Sequence, residues 1–184
     1  MKKFILMIIC VMSCISMTAQ QKYINSNNIF AEGTFGINIP TDGTSTFCGF
    51  GFEFGKYINP VFGIGMNLAV SECNDEYSDD LGIFGINTHY RLTPYFVPES
   101  NFDFELFAGL NYGWLTYYDY YLYDNETISY VVPKVGANIF LNLDMGHTMQ
   151  LGLEPSFSWY ISTNKEESNS VGVFNILAKF RINF

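Results

Sequence analysis

Beyond its N-terminus the chain has no long apolar run, and nothing downstream approaches the roughly 20 consecutive apolar residues that a membrane-crossing helix needs. A helical membrane protein is thereby excluded. Cations are scarce: nine Lys and Arg stand against eighteen Asp and Glu, for a formal charge of −9 at pH 7. Loss of Lys2 and Lys3 with a leader carries it to −11, so nucleic acid is not an expected partner. Proline is limited to six residues while aromatics make up 18% of the chain, which argues against disorder and for a sheet-rich fold. At 184 residues, one domain is expected.

The one apolar run that exists is at the start. Lys2 and Lys3 precede FILMIICVMSCISM, followed by Thr18-Ala19-Gln20: a basic n-region, a short apolar h-region and a small residue before a polar stretch. This predicts a secretory signal peptide over 1–19, cleaved after Ala19, then a short segment over 20–28 and a barrel over 29–184. Met17 departs from the small-x-small rule at the cleavage site, and Cys14 after Val11-Met12-Ser13 supports a second reading as a lipoprotein site. Cys10 and Cys14 leave with the signal in the first reading. Cys48 and Cys73 remain, a pair that permits one disulfide without demanding it. Simple hairpin register puts Cys48 opposite about Leu68, so a bond would need the loop to fold back.

From Ile29 onward, eight segments of about ten residues alternate with period two. In the first, Ile29, Ala31, Phe35, Ile37 and Ile39 oppose Glu32, Thr34 and Asn38. Cys48, Phe50, Phe52 and Phe54 oppose Gly49, Gly51 and Glu53, and Phe62, Ile64, Met66, Leu68 and Val70 oppose Gly63, Gly65 and Asn67. The fourth segment sets Phe84, Ile86 and Tyr90 against Asn87, His89 and Arg91. In the fifth the rows are Phe102, Phe104, Leu106, Leu110, Tyr112 and Trp114 against Asp103, Glu105 and Asn111. Val131, Val135, Ile139 and Leu141 oppose Lys134, Gly136 and Asn138. Met149, Leu151, Leu153, Phe157 and Trp159 oppose Gln150, Glu154, Ser156 and Ser158. The last segment sets Phe174, Ile176, Phe180, Ile182 and Phe184 against Asn175, Lys179, Arg181 and Asn183.

A soluble barrel also alternates, so the class depends on which face is inside. Connections are tight near Lys56 to Asn59 and Asp144 to His147. They are longer and polar at Ser71 to Asp80, Thr116 to Thr127 and Ser162 to Ser170, the asymmetry of a transmembrane barrel. The connections at 93–101 and 40–45 fit this scheme less well. Aromatics collect on the apolar rows at two levels, Tyr112, Trp114 and Trp159 at one and Tyr90, Phe102 and Phe184 at the other. Glycine and charge share the opposite face, as a narrow lumen requires. Turning Lys134 or Lys179 toward lipid would cost about 2–4 kcal/mol each at the bilayer midplane. The expected fold is an all-β, eight-stranded, antiparallel up-and-down transmembrane barrel, its apolar face against outer-membrane lipid.

The chain thus resembles the small eight-stranded outer-membrane β-barrel family, the group that includes the OmpA membrane domain and OmpX, over essentially its whole mature length. The most specific local match is Ala178-Lys179-Phe180-Arg181-Ile182-Asn183-Phe184. Its terminal aromatic and alternate apolar residues, Phe180, Ile182 and Phe184, resemble the signal by which the barrel-assembly machinery recognises its clients. The resemblance implies an outer-membrane location in a Gram-negative bacterium better than it implies an activity. No peptidoglycan-binding domain is expected after the last strand.

For function, the inward rows predict a charge network that fills the lumen: Glu32, Glu53, His89, Arg91, Asp103, Glu105, Lys134, Glu154, Lys179 and Arg181. Pairing of the fourth and fifth strands with residue numbers summing to 194 sets Arg91 opposite Asp103 and His89 opposite Glu105. Glu154 is expected near Lys179 across the last hairpin, and barrel closure is expected to bring Arg181 to Glu32. No catalytic site, cofactor or metal is expected. His147 falls in a turn, His89 faces the lumen, and neither adjoins a serine, so the His-Ser arrangement of barrel lipid-A deacylases has no counterpart. The acidic run Glu72 to Asp80 lacks the ligand spacing of a Ca²⁺ loop. Tyr117, Tyr118, Tyr120, Tyr121 and Tyr123 suit either an external binding surface or an interface girdle. The expected function is a non-catalytic surface or adhesin-like barrel that binds an extracellular partner through its external loops. A soluble, secreted, lipocalin-like ligand carrier is the alternative, and a lipid-modifying outer-membrane enzyme a further one.

Overall fold

The computed structural model describes residues 29–43, 46–72, 80–93, 101–119, 124–143, 149–163 and 170–184. The signal peptide, the segment 20–28, Cys73, most of the acidic run, His147 and Tyr120, Tyr121 and Tyr123 lie outside them. Eight strands follow in order: β1 (Ile29–Pro40), β2 (Phe47–Tyr57), β3 (Phe62–Glu72), β4 (Asp80–Arg91), β5 (Phe102–Asp119), β6 (Asp124–Asn142), β7 (Met149–Ser162) and β8 (Ser170–Asn183). Each pairs antiparallel with its sequence neighbours, and β8 returns to β1, giving a closed up-and-down barrel. Closure leaves no strand edge around the wall.

Period-two alternation becomes an inside and an outside. Phe35 and Phe50 are each 64% exposed on the outer face, whereas Glu32 and Arg181 on the inner face are 0% exposed. Phe, Leu, Ile, Val and Met continue around the outside on every strand. Strand parity makes this orientation collective: one inward charge commits its whole row.

Ile29 and Phe184 meet at one end of the barrel, where the Phe184 N–H donates to the Ile29 carbonyl at 2.8 Å. At this terminal end β2 turns into β3 through Asn59, whose side-chain oxygen accepts from the backbone N–H groups of Val61 (2.9 Å) and Phe62 (2.7 Å). An asparagine that satisfies the turn's own donors makes a tight connection. The opposite end, the loop end, carries the connections after β1, β3, β5 and β7.

Three expectations are corrected here. The β4–β5 register sums to 196, not 194: Arg91 is opposite Glu105 and His89 opposite Phe107. A shift of two leaves every side chain on its expected face, because the side-chain period is also two. Cys48 is opposite Glu72 rather than Leu68, since the β2–β3 turn is centred on Pro60; its thiol is free and exposed. Of the stretch 116–127 expected to be a loop, 116–119 and 124–127 are strand. β5 runs on to Asp119 and β6 starts at Asp124, with Tyr117 opposite Glu126 and Tyr118 opposite Asn125. Thr, Tyr and Ile on both sides of the tip favour extended backbone, and the ladder continues past the rim.

Two prolines leave a visible mark. The β6–β7 ladder keeps one register but is interrupted at Val132-Pro133 and at Ala137-Asn138, the second stretch facing Pro155. A proline has no N–H to give, so each interruption sits where a donor is missing. Space inside is made by glycine. Gly136 lies beneath Phe107 and Ser156, Gly152 beneath Phe140 and Gly55 beneath Phe30, while on the outer face Gly82 lies beneath Trp114.

Candidate functional site: the lumen and the loop end

The ten titratable residues predicted to line the lumen all point inward, and eight of them form one run of ion pairs with alternating sign. Lys134 pairs with Glu154 (2.5 Å), Glu154 with Lys179 (2.6 Å), Lys179 with Glu32 (2.5 Å) and Glu32 with Arg181 (2.8 Å). Arg181 continues to Glu105 (2.8 Å), Glu105 to His89 (2.9 Å) and His89 to Glu53 (2.5 Å). Arg91 and Asp103 pair separately at 3.1 Å. Arg91 therefore reaches Asp103 on the diagonal, and His89 reaches Glu105 likewise, because long side chains span the offset between neighbouring strands.

Arg181 is the centre. Its Nε and Nη2 donate to Glu32 and Glu105, and Nη1 donates to Glu105 Oε2 (3.0 Å) and to the Tyr57 hydroxyl (2.8 Å). The Tyr57 hydroxyl in turn donates to Glu105 Oε2. The guanidinium lies between the rings of Phe140 and Phe30, 4.1 and 4.7 Å from their centroids. Arg91 sits 4.0 Å from the Tyr57 centroid, and Lys134 and Lys179 approach Phe107 at 5.2 and 5.4 Å. A weakly hydrated planar cation held by carboxylates on its edges and rings on its faces has most of its lost hydration replaced. Sequence reasoning missed these rings. Phe30, Phe107 and Phe140 are apolar residues in inward parity, and the signal that marks them is the glycine beside each on the neighbouring strand.

Charge balances within the network. Glu32, Glu53, Asp103, Glu105 and Glu154 face Arg91, Lys134, Lys179, Arg181 and His89. Carboxylates accept but do not donate, and both ring nitrogens of His89 abut one, so the geometry suits an imidazolium. With both nitrogens engaged, His89 has none left to act as a base on a nucleophile. Amides add to the network: Asn87 donates to Glu53 (2.7 Å), Asn138 donates to Glu105 (2.9 Å), and Asn138 accepts from Lys179 (3.0 Å).

Toward the loop end the lining changes. Phe47, Leu81, Val132, Tyr160 and Val173 pack as a buried apolar cluster, flanked by Ile83, Leu115, Tyr130 and Val171. Between cluster and charges lies a small cavity of about 50 Å³ whose wall mixes hydroxyls, amides and Lys134 with the apolar Ile83, Val132 and Leu177. Among the described residues no group of three or more His, Cys, Asp or Glu is placed to hold a metal ion. Phe180 and Phe184, proposed as an assembly signal with Ile182, are exposed on the outer face, and Ile182 shares their parity half-buried.

No protein-family model and no curated protein matches the chain in sequence. Among solved structures, the fold is similar to that of Neisserial surface protein A, NspA, with a TM-score of 0.65 at 11% identity, over 85% of this chain and 96% of that one. It is also similar to the N-terminal β-barrel domain of Pseudomonas aeruginosa OprF, with a TM-score of 0.54 at 12% identity, over 85% and 98% of the two chains. The chain has the fold of the small eight-stranded outer-membrane barrels.

Proposed function

We propose that the protein is a non-catalytic integral outer-membrane barrel with a sealed lumen, exported through a cleaved leader, that acts at the cell surface through its loop end. The observation that carries this reading is the double commitment of the wall. Outside, exposed Phe, Leu, Ile and Met on all eight strands form a continuous apolar belt far beyond what a soluble monomer carries. Inside, buried ion pairs occupy the space. A soluble lipocalin-like carrier needs the reverse polarity, an apolar interior that holds the ligand and a polar exterior. Strands of 11 to 19 residues meet the 9–11 needed to cross a bilayer at barrel tilt.

With both faces of the wall occupied, recognition falls to the loop end. There the longest strands, β5 and β6, run beyond their neighbours: β4 follows β5 only to Thr116, and β7 follows β6 only to Tyr130. The tip carries Asp119, Asp124 and Glu126 among tyrosines, a composition suited to a cationic or amphipathic extracellular partner. Outward Phe180, Ile182 and Phe184 serve recognition by the barrel-assembly machinery. The test is a replacement of Thr116 to Thr127 by a short turn. Folded barrel should still migrate faster than boiled barrel in SDS, while binding of the intact protein's partner is lost. Retained binding would move the activity elsewhere; unchanged migration of the parent protein on boiling would refute the membrane reading itself.

A further inference from the structure

Strand glycines on the outer face are treated in two ways. Gly82 is covered by the ring of Trp114 and Gly172 by that of Phe157, each ring lying where a side chain on the glycine would project. Gly33 on β1 is bare. Its cross-strand neighbours are Phe52 and Phe180, yet a side chain there would meet no atom within 4 Å. Both rings stand away from it, 58% and 40% exposed. Ala31, the next outward residue of β1, is flanked in the same way by Phe54 and Ile182. The result is a groove one strand wide with apolar walls on β2 and β8, closed toward the loop end by the exposed ring of Phe35. Neighbouring strands lie about 4.8 Å apart, so the walls rise about 10 Å from each other across β1, room for one extended hydrocarbon chain. At the terminal end of the groove stands Lys56, opposite Ile29 and in the outward row of Phe52 and Phe54. It is exposed, and among the described residues it is the one cation on the outer face, with no acid on that face at this end of the barrel.

We propose that this groove binds one acyl chain of an anionic glycerophospholipid from the leaflet at the terminal end, with the lipid phosphate at Lys56. The proposal rests on the membrane reading of the outer face. Lys56 lies four residues along β2 from Phe52, about 13 Å. One leaflet of a hydrocarbon core about 30 Å thick is about 15 Å deep, so a headgroup at Lys56 sets its chain alongside Ala31 and Gly33. Charge selects this occupant over two others. A second copy of the chain, seated by two-fold symmetry, would bring two Lys56 side chains to one apolar interface with no described acid to meet them. A zwitterionic headgroup would add an ammonium that likewise finds no carboxylate on this face. An anionic phosphodiester supplies the one charge that is missing, and an interfacial lysine reaches it while its stem stays on apolar surface.

The experiment is native mass spectrometry of the folded, detergent-solubilised barrel incubated with phosphatidylglycerol or with phosphatidylcholine. Wild-type protein is expected to retain one phosphatidylglycerol in several-fold preference to phosphatidylcholine. Gly33→Leu fills the groove without meeting a neighbour, and Lys56→Gln removes the cation; each should lower the retained fraction several-fold. Ala108→Leu, on the outer face of β5, should leave it unchanged. Equal retention of the two lipids by the wild type would overturn the proposal, as would undiminished phosphatidylglycerol on either Gly33→Leu or Lys56→Gln. A dimer that Gly33→Leu abolishes would assign the groove to a second copy instead. Should Gly33→Leu fail to fold, the wild type against Lys56→Gln decides. The gel shift on boiling is read on the same samples, so lost lipid preference with an intact shift strikes the groove alone, whereas a lost shift in the wild type strikes the membrane reading.

Discussion

At the terminal end the lumen is lined by ten titratable side chains and the rings beside them; at the loop end it is lined by the buried cluster of Phe47, Leu81, Val132, Tyr160 and Val173. The two linings differ in their consequences. The apolar cluster gains from burial but is indifferent to partner identity, since neighbouring hydrophobes of similar volume substitute for one another. The ionic run tolerates no such exchange. Arg181 on β8 needs Glu32 on β1 and Glu105 on β5, so its pairs tie the closing seam to the far wall. A wrong register strands a charge without a partner, which is costly in a dry interior. The terminal half therefore specifies how the barrel closes, and the loop half keeps it packed.

The largest expected effect follows from the alternation of sign. Replacing Arg181 by Met cuts the run at its centre and leaves Glu32 and Glu105 each short of a partner. A loss of about 3–5 kcal/mol is expected in urea unfolding from lipid vesicles. Adding Glu105→Gln should recover part of it, and failure to recover any would show that the rings of Phe30 and Phe140, not the carboxylate, dominate at Arg181. Lys134→Met should cost less than Arg181→Met, because Lys134 ends the run with a single acid and its side chain is 16% exposed. Next in size, Gly136→Val drives a side chain into Phe107 and Ser156, for which overpacking predicts about 1–3 kcal/mol. At the loop end, Val173→Ala should cost about 1–2 kcal/mol by cavity formation, with no rescue by any charge change elsewhere. The smallest effect separates the halves from the surface. Raising salt from 0.05 to 1 M should barely move the unfolding midpoint, because buried pairs are screened little. A large downward shift would place the pairs in contact with solvent.

Strand parity made the inward charges legible in the sequence. Glu32, Lys179 and Arg181 each stand in a row of glycine and amide, and no other face of a lipid-facing strand accepts them. The β4–β5 register lies two residues from the simple hairpin expectation because turn length over 92–101 says little about pairing. The error did no harm to the faces. What could not be read was the inward hydrophobes: Phe107 between Glu105 and Gly109, or Val132 beside Pro133, look like noise in the alternation until the neighbouring strand supplies the glycine or the cluster. The β5–β6 strands outrun their sequence expectation for a different reason. Asp119, Asp124 and Asn125 have the polarity of a loop, but the tyrosines and threonines around them sustain a ladder.

If the ion pairs at the terminal end seal the barrel, the folded protein does not conduct. Planar-bilayer recording of the purified, folded protein tests this, because a lumen sealed by the run of Lys134, Glu154, Lys179, Glu32, Arg181, Glu105, His89 and Glu53 would carry no ions. A silent bilayer at moderate voltage is expected. A large and stable single-channel conductance from the folded species would contradict it.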